Sequence, residues 1–301
     1  MLNSARKPAL AICLIHVAVA LAYHAIGFAP TLAPETGQWH LLPADLLRAD
    51  LATSLYDLHA QPPLYNAYAG LFAKLFYPRQ FDAMFFAQVI LGGLIAAMTY
   101  PRVLRWGRAP ARPGGGGARR LFGRAGARPH RLNWTRRPRF AFIAGLFLAL
   151  NPALFLYEHL GYETLTAFGL TLTVFLFSLH DRTGRASMLA AAVAALALTT
   201  LVRSSYHPAL LVPVIALACI AAREPKAGHS PQKPGAVPTS WKRVLAVSIL
   251  IALVPLAWCA KNQARFGFFG SSSWAGQNLW KIASLNHEPS DLEQLARDDV
   301  I

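Results

Sequence analysis

Long apolar stretches, separated by short polar segments, dominate this chain. Seven of them reach the roughly 17–25 residues that a helix needs to cross a bilayer, and they lie at about 8–29, 82–103, 141–157, 163–180, 187–203, 206–222 and 244–260. The stretch 64–77 is shorter, rich in aromatic residues and interrupted by Lys74, which favours a helix at the membrane interface over a span. The pattern predicts an all-α, polytopic transmembrane helical bundle of about seven spans.

Composition supports this class. Of 301 residues, 54% are hydrophobic and 14% are charged, against about 25% charged in a typical soluble domain. We expect residues 1–301 to form one membrane domain. Arg6 and Lys7 followed by an apolar run are also the pattern of a secretory signal. Because further spans follow without a soluble domain between them, a retained first helix is the favoured interpretation.

The basic residues predict the orientation. If the seven spans alternate, one side receives most of the basic residues of the short segments: Arg6, Lys7, twelve arginines between Arg102 and Arg139, Arg182, Arg185, Arg223, Lys226, Lys233, Lys242 and Arg243. This side should be cytoplasmic, in a bacterial inner membrane with a cytoplasmic N-terminus. The formal net charge of +15 then reflects the orientation of the chain in the membrane more than the binding of an anionic partner.

The opposite side carries the candidate chemistry. It receives the outer loop 30–81 with its juxtamembrane helices, the turn at 158–162, the junction near 203–206 and the outer tail 261–301. Most acidic residues belong to these segments, among them Glu35, Asp45, Asp50, Asp57, Glu158, Glu163, Glu288, Asp291, Glu293, Asp298 and Asp299. The active face is therefore expected to be extracytoplasmic.

The segment 105–140 is dominated by Arg, Gly and Pro and has no acid, which predicts a disordered, basic cytoplasmic loop. Arginine-rich segments can fold on RNA, but anionic membrane lipids are a sufficient partner for such a loop, so no nucleic acid is expected. The run of four glycines lacks the Gly-Lys-Ser/Thr of a phosphate loop. Cys13, Cys219 and Cys259 each lie inside an apolar stretch and predict neither a disulfide framework nor a metal cluster.

Each acidic residue of the outer segments also has a simpler interpretation, because loop carboxylates are often only solvated and have no further role. That interpretation is favoured for Asp57, Glu288 and the Asp298-Asp299 pair. Glu158 lies at the mouth of a predicted span, where charge is expensive, and is either functional or an interfacial anchor. Asp45 and Asp50 lie in the leucine-rich stretch 41–51, which predicts a short amphipathic helix on the membrane with its acids facing water or a pocket.

Cationic and imidazole side chains accompany these acids. Arg203, Lys261 and Arg265 follow predicted spans and suit the capture of a phosphate, or they are snorkelling residues that mark the interface. His59 and His207 could be metal ligands or hydrogen-bonded structural residues. No His-x-x-x-His or Glu-x-x-His pattern supports a zinc site.

Two motifs and their order resemble a known family. They are His59-Ala60-Gln61-Pro62-Pro63-Leu64-Tyr65, at the start of the aromatic stretch, and Asn151-Pro152 running to Tyr157-Glu158 at the second outer loop. With the acidic first outer loop and the Thr- and Arg-containing junction near Arg203, they resemble the GT-C superfamily of polyprenyl-phosphate-sugar-dependent glycosyltransferases. The nearest branches are the protein O-mannosyltransferases, the aminoarabinose transferases and the Rgt-type lipopolysaccharide glycosyltransferases. The resemblance covers residues 1 to about 285.

The resemblance implies an inverting transfer from a polyprenyl-phosphate sugar to a glycan, lipid or protein acceptor at the outer face. It implies a catalytic acid in the first outer loop, for which Glu35, Asp45 and Asp50 stay open, because the adjacent Asp-Glu pair usual in the family is absent. Glu158 corresponds to the acid of the second loop. The side chains expected to bind substrate are His59, Gln61, Tyr65, Arg203, His207 and Lys261. No cofactor is certain, and a divalent metal ion is a further candidate.

The chain also departs from the family, whose members commonly have more spans and often a soluble outer domain. The tail 261–301 is therefore expected to begin a missing C-terminal part, or the chain is a degenerate member. A polytopic transporter or lipid flippase is the alternative from another class, although the ionisable residues cluster at outer loops rather than at the bilayer midplane where transport sites lie. An inactive scaffold is a third interpretation.

Overall fold

The computed structural model describes residues 2–27, 41–106, 137–151, 162–223 and 240–273. Within these ranges all regular structure is helical and no strand occurs, which confirms the all-α expectation. The predicted basic loop 105–140 and the predicted tail 261–301 lie largely outside the described residues.

The helices are numbered in chain order. They are α1 (Leu2–Ala25), α2 (Ala44–Ala49), α3 (Leu51–Tyr56), α4 (Pro63–Phe76), α5 (Gln80–Trp106), α6 (Arg137–Ala149), α7 (Tyr162–Thr183), α8 (Ala186–Thr200), α9 (Leu211–Arg223) and α10 (Trp241–Phe266). A short 3-10 helix, Pro208–Leu210, precedes α9.

Four of the described helices are long and apolar enough to cross a membrane. They are Arg6–Ala25 in α1, Gln80–Tyr100 in α5, and all of α7 and α10, with 20 to 26 residues each. At about 1.5 Å per residue these lengths match a hydrocarbon core of about 30 Å, as in a membrane protein. The other three predicted spans fall on α6, α8 and α9, which have 13, 15 and 13 residues. As spans, these three stay predictions.

The chain divides into two compact units. The first comprises residues 1–32 and 85–178, and α1 packs in it against α5 and α6 around Ile12, Ala96 and Ala141, all fully buried. Small residues allow this packing: a methyl group added at Gly93 would lie 2.9 Å from the Cys13 sulfur. The buried His16 ring contacts the Ala149 carbonyl through Nδ1 at 2.7 Å, which ties α1 to the end of α6.

The second unit comprises residues 33–84 and 179–301. Here α8, α9 and α10 pack against one another, burying the side chains of Leu189 and Val193 on α8 completely. The short helices α2 and α3 pack on α4, where Gly70 leaves room for the side chains of Leu47 and Leu51.

The leucine-rich stretch 41–51 differs from its prediction as one helix. The chain breaks at Asp50, whose extended backbone (φ −144°, ψ 86°) separates α2 from α3. The Asp50 carboxylate caps α3 instead of facing a pocket from a helix surface. Helix α4 occupies the predicted aromatic stretch 64–77 and begins at the second proline of the Pro62-Pro63 pair, because proline at the first helical position loses no hydrogen bond.

Replacing Gly93 with valine should separate α1 from α5. The added methyl groups overlap Cys13, and overpacking of this kind costs about 1–3 kcal/mol, so the midpoint of thermal unfolding in detergent should fall. Ile90→Val on the same helix, at a side chain that is 53% exposed, is the matched control and should change stability by less than about 0.5 kcal/mol. An unchanged midpoint for Gly93→Val would contradict the close approach of the two helices.

Candidate functional site

The Pro-Pro motif begins α4 and is held by the turn after α8. Pro62 is extended, Pro63 is the first helical residue, and the Leu64 N–H donates to the Leu201 carbonyl at 2.8 Å. One turn into α4, the Asn66 side-chain oxygen accepts the Leu42 N–H at 2.7 Å. Tyr65 and Asn66 are buried. The motif thus joins the segment before α4 to the turn that contains Arg203.

The residues before the prolines lie along a serine-rich segment that follows α10. The Ser273 N–H donates to the His59 carbonyl at 3.0 Å, and the two side chains also contact each other, with His59 Nδ1 and Ser273 Oγ 3.3 Å apart. The Ser272 hydroxyl donates to the Ala60 carbonyl. These contacts join positions more than 200 residues apart, so the carbonyls of His59 and Ala60 take their partners from the segment that follows α10.

The serine-rich segment is itself held by α10. The buried Asn262 amide donates through Nδ2 to the Gly270 carbonyl at 2.7 Å, and the Trp258 indole N–H donates to the Ser271 carbonyl at 3.1 Å. Helix α10 ends at Gly267, whose positive φ of 79° and N–H bond to the Gln263 carbonyl form a left-handed C-cap. The chain can therefore turn back along α10.

The partly buried Lys261 ammonium contacts backbone carbonyls and aromatic rings. It donates to the carbonyls of Tyr56 at 3.0 Å and Leu58 at 2.8 Å. It also lies 3.8 Å from the centre of the Trp258 ring and 5.1 Å from that of Phe266, in the range of cation–π attraction. Two carbonyl acceptors and a ring face match the three N–H donors of an ammonium. This arrangement fixes the loop between α3 and α4.

Two further contacts link the end of α10 to the loop between α3 and α4. Arg265 forms an ion pair with Asp57 at 2.7 Å, with about half of each side chain exposed, so its contribution to stability is small. The His59 ring packs against Phe266 with 4.6 Å between centroids. Asp57 thus has a partner within the protein, whereas the favoured interpretation of the sequence is a simply solvated carboxylate.

The predicted acids fall into two groups. Glu35 and Glu158 lie outside the described residues. Asp45 is exposed in the first turn of α2. Asp50 accepts the Thr53 hydroxyl at 2.6 Å and the Thr53 N–H at 3.1 Å. The hydroxyl, and after it the N–H, holds the pKa of the Asp50 carboxyl below its usual range, so Asp50 is ionised at neutral pH and its cap weakens only under acid conditions.

Arg203 and His207 lie in the turn between α8 and α9. Arg203 is half-buried, and its carbonyl accepts the Tyr206 N–H at 3.1 Å. His207 Nδ1 accepts the Ala209 N–H at 3.1 Å and so caps the 3-10 helix. A nitrogen that accepts this bond carries no proton, which gives His207 a structural task in addition to its predicted role in substrate binding.

Sequence reasoning missed Asn262 and Ser271, two buried polar residues that, like Gln61, belong to the segments joined at this site. All three are at least nine-tenths buried. Gln61 Nε2, Asn262 Oδ1 and Ser271 Oγ have no hydrogen-bond partner in the described part of the chain, although buried polar atoms normally have one. The set is neutral and offers an amide donor, an amide acceptor and a hydroxyl. Such groups suit recognition of hydroxyls. In the sequence, the run Ser271-Ser272-Ser273 after Gly267 is the one local feature that could have pointed to these polar residues.

Within the described ranges no three His, Cys, Asp or Glu side chains are grouped as metal ligands would be. The proposed divalent metal ion therefore stays a prediction, with no ligand set assigned. Comparisons with protein-family models, with curated proteins and with solved structures found no match.

Replacing Lys261 with methionine should release the loop between α3 and α4. Hydrogen bonds from charged donors contribute about 1.5–3 kcal/mol, so we expect a lower unfolding midpoint and faster amide exchange at residues 56–61. The measurement is hydrogen exchange followed by mass spectrometry in detergent. Lys242→Met, an exposed lysine at the other end of α10, is the matched control and should leave exchange unchanged. Equal exchange in both variants would contradict the conclusion that the Lys261 hydrogen bonds hold residues 56–61 in place.

Proposed function

We propose that this protein is a membrane glycosyltransferase of the GT-C type. It transfers a sugar from a polyprenyl-phosphate donor to a glycan, lipid or protein acceptor in the cell envelope. One observation carries the proposal: segments from three distant parts of the sequence, 41–66, 201–207 and 258–273, belong to one compact unit. Hydrogen bonds join the first to each of the others. The Pro-Pro motif lies at their centre.

The proposal includes the finer topology. Seven spans with a cytoplasmic N-terminus place the Pro-Pro motif, the Arg203 turn and the end of α10 on the extracytoplasmic side of a bacterial inner membrane. The distribution of basic residues supports this orientation. Acid and cation then lie on the side where a lipid-linked sugar would be consumed.

The chemistry follows from the residue types. A carboxylate removes the proton of the acceptor hydroxyl, the acceptor oxygen forms a bond to the anomeric carbon, and the bond from that carbon to the phosphate oxygen breaks. The electron pair leaves with the polyprenyl phosphate, and inversion results from attack on the opposite face. A cation offsets the charge that grows on the phosphate.

Roles can be assigned within this scheme. Asp50, Asp45 and Glu35 are the candidates for the base, and Glu158 positions the acceptor or shares a metal. Arg203 is the first candidate for the phosphate. Lys261 has two carbonyls and a ring as partners, so its contribution is to position the segment that carries His59 and Gln61. With Asn262 and Ser271, Gln61 recognises sugar hydroxyls.

A transporter or lipid flippase is the second candidate, and one observation favours it. Gln88, in the candidate span of α5, is buried and both amide atoms lack a partner among the described residues. His16 is also buried in the span of α1. Polar groups inside spans often mark a transport path. A transporter would move labelled lipid across the bilayer without cleaving it.

The class of activity is tested with membranes that contain the protein, incubated with radiolabelled polyprenyl-phosphate sugars. A transferase consumes one donor and moves label to an acceptor. If the folded protein consumes none while labelled lipid reaches the other leaflet, the transporter interpretation replaces this proposal.

Asp50→Asn should lower the transfer rate by at least a hundredfold at unchanged expression, since general base catalysis contributes about 10²–10⁴-fold. Glu158→Gln should lower it by about a hundredfold as well, because a misplaced acceptor can cost that much. Asparagine is also a good helix cap, so Asp50→Asn removes the charge while it preserves the start of α3. Asp82→Asn, an exposed acid in the first turn of α5, is the matched control. Rates within twofold of wild type for both variants would refute these roles.

A further inference from the structure

A basic and aromatic surface lies where α4 ends and α5 begins. It consists of Arg48, Lys74, Tyr77 and Arg79, all exposed, and is called here the α4-end surface. The Arg48 guanidinium stacks over the Tyr77 ring, with Cζ 4.2 Å from the ring centroid. A stacked guanidinium keeps its N–H edge free for bidentate contact with an oxyanion. Tyr77 thus holds Arg48, from α2, at the end of α4, and Lys74 precedes Tyr77 by three residues.

The cations of this surface differ from those at the end of α10. Lys261 is engaged with carbonyls and Arg265 with Asp57. In contrast, Arg48, Lys74 and Arg79 form no ion pair within the described ranges. The hydrogen bonds from Thr53 lower the pKa of the Asp50 carboxyl most, and the charge of Lys74 lowers it slightly, but the oxygens of Asp50 already accept those hydrogen bonds from Thr53. The three positive charges therefore remain available to an anion.

The neighbouring side chains are apolar and exposed. Leu71, Leu75 and Phe76 are 51%, 64% and 47% exposed, on the last turns of α4. The candidate span of α5 begins at Gln80, only a few residues further, so the chain enters the membrane directly beside this surface. Tyrosine and basic side chains at that level are typical of contacts with lipid headgroups.

We propose that the α4-end surface binds the headgroup phosphate of an anionic phospholipid in the leaflet that α5 enters. Arg48 and Lys74 contact the phosphate oxygens, Tyr77 holds Arg48 in place, and the apolar side chains of α4 contact the acyl chains. The occupant is argued from charge complementarity and from the continuity of the surface with a span. It does not depend on the proposed transferase activity.

The test uses the full chain, purified in detergent and titrated with phosphatidylglycerol or phosphatidylcholine, with bound lipid measured by native mass spectrometry. Wild type should prefer phosphatidylglycerol. Arg48→Gln/Lys74→Gln should raise the apparent Kd for phosphatidylglycerol about thirtyfold and leave phosphatidylcholine unchanged. Lys242→Gln/Arg243→Gln, a pair of exposed cations at the start of α10, is the matched control and should keep the wild-type Kd.

Three results would overturn the proposal: no preference in wild type, an unchanged Kd in the Arg48/Lys74 variant, or an equal loss in the control pair, which would indicate net charge alone. Folding of each variant is checked by its unfolding midpoint. If the double variant does not fold, Arg48→Gln alone should raise the Kd about fivefold, and an unchanged value then counts against the site. Transferase activity enters none of these measurements, so each proposal can fail alone.

Discussion

The contact of the Lys261 ammonium with the carbonyls of Tyr56 and Leu58 is the interaction on which the candidate site depends. The segment between α3 and α4 is not helical and ends at Pro62, directly before Pro63 begins α4, so most of its carbonyls have no helical partners and the two prolines supply no donors. Near a membrane, unpaired backbone groups are especially costly. The end of α10 supplies the missing donors through Lys261, Ser272 and Ser273, and this fixes where the Pro-Pro motif lies.

The same constraint explains why the site is built from distant segments. A polar site beside spans needs backbone and side-chain partners that a single apolar helix cannot provide. The turn after α8 gives the Leu201 carbonyl to α4, and the segment after α10 gives serines to residues 59 and 60. The side chains on these segments, among them the predicted substrate-binding residues, are then positioned by hydrogen bonds rather than by apolar packing, which has little direction.

Sequence predicted the local features and missed the long-range ones. Apolar runs located the four long helices, and the two prolines located the start of α4, because both depend on residues close in sequence. The break at Asp50 was missed, since the leucine periodicity of 41–51 continues through it. The partners of Lys261 could not be predicted, because a carbonyl that accepts a side-chain donor 203 residues away leaves no trace in its own residue type. Asn262 and Ser271 were missed for the same reason.

The structure also narrows what an acid of the first loop can do. A general base works best when its pKa lies near the working pH, whereas the bonds from Thr53 lower the pKa of Asp50. Because its exposed carboxylate already accepts two hydrogen bonds from Thr53, Asp50 is a weak base in the free protein. Bound substrates that exclude water would raise its pKa, because desolvation disfavours the charged form. If Asp50 is the base of the proposed transfer, its basicity must therefore develop in the complex with donor and acceptor, where water is excluded and the proton that it accepts comes from the acceptor hydroxyl.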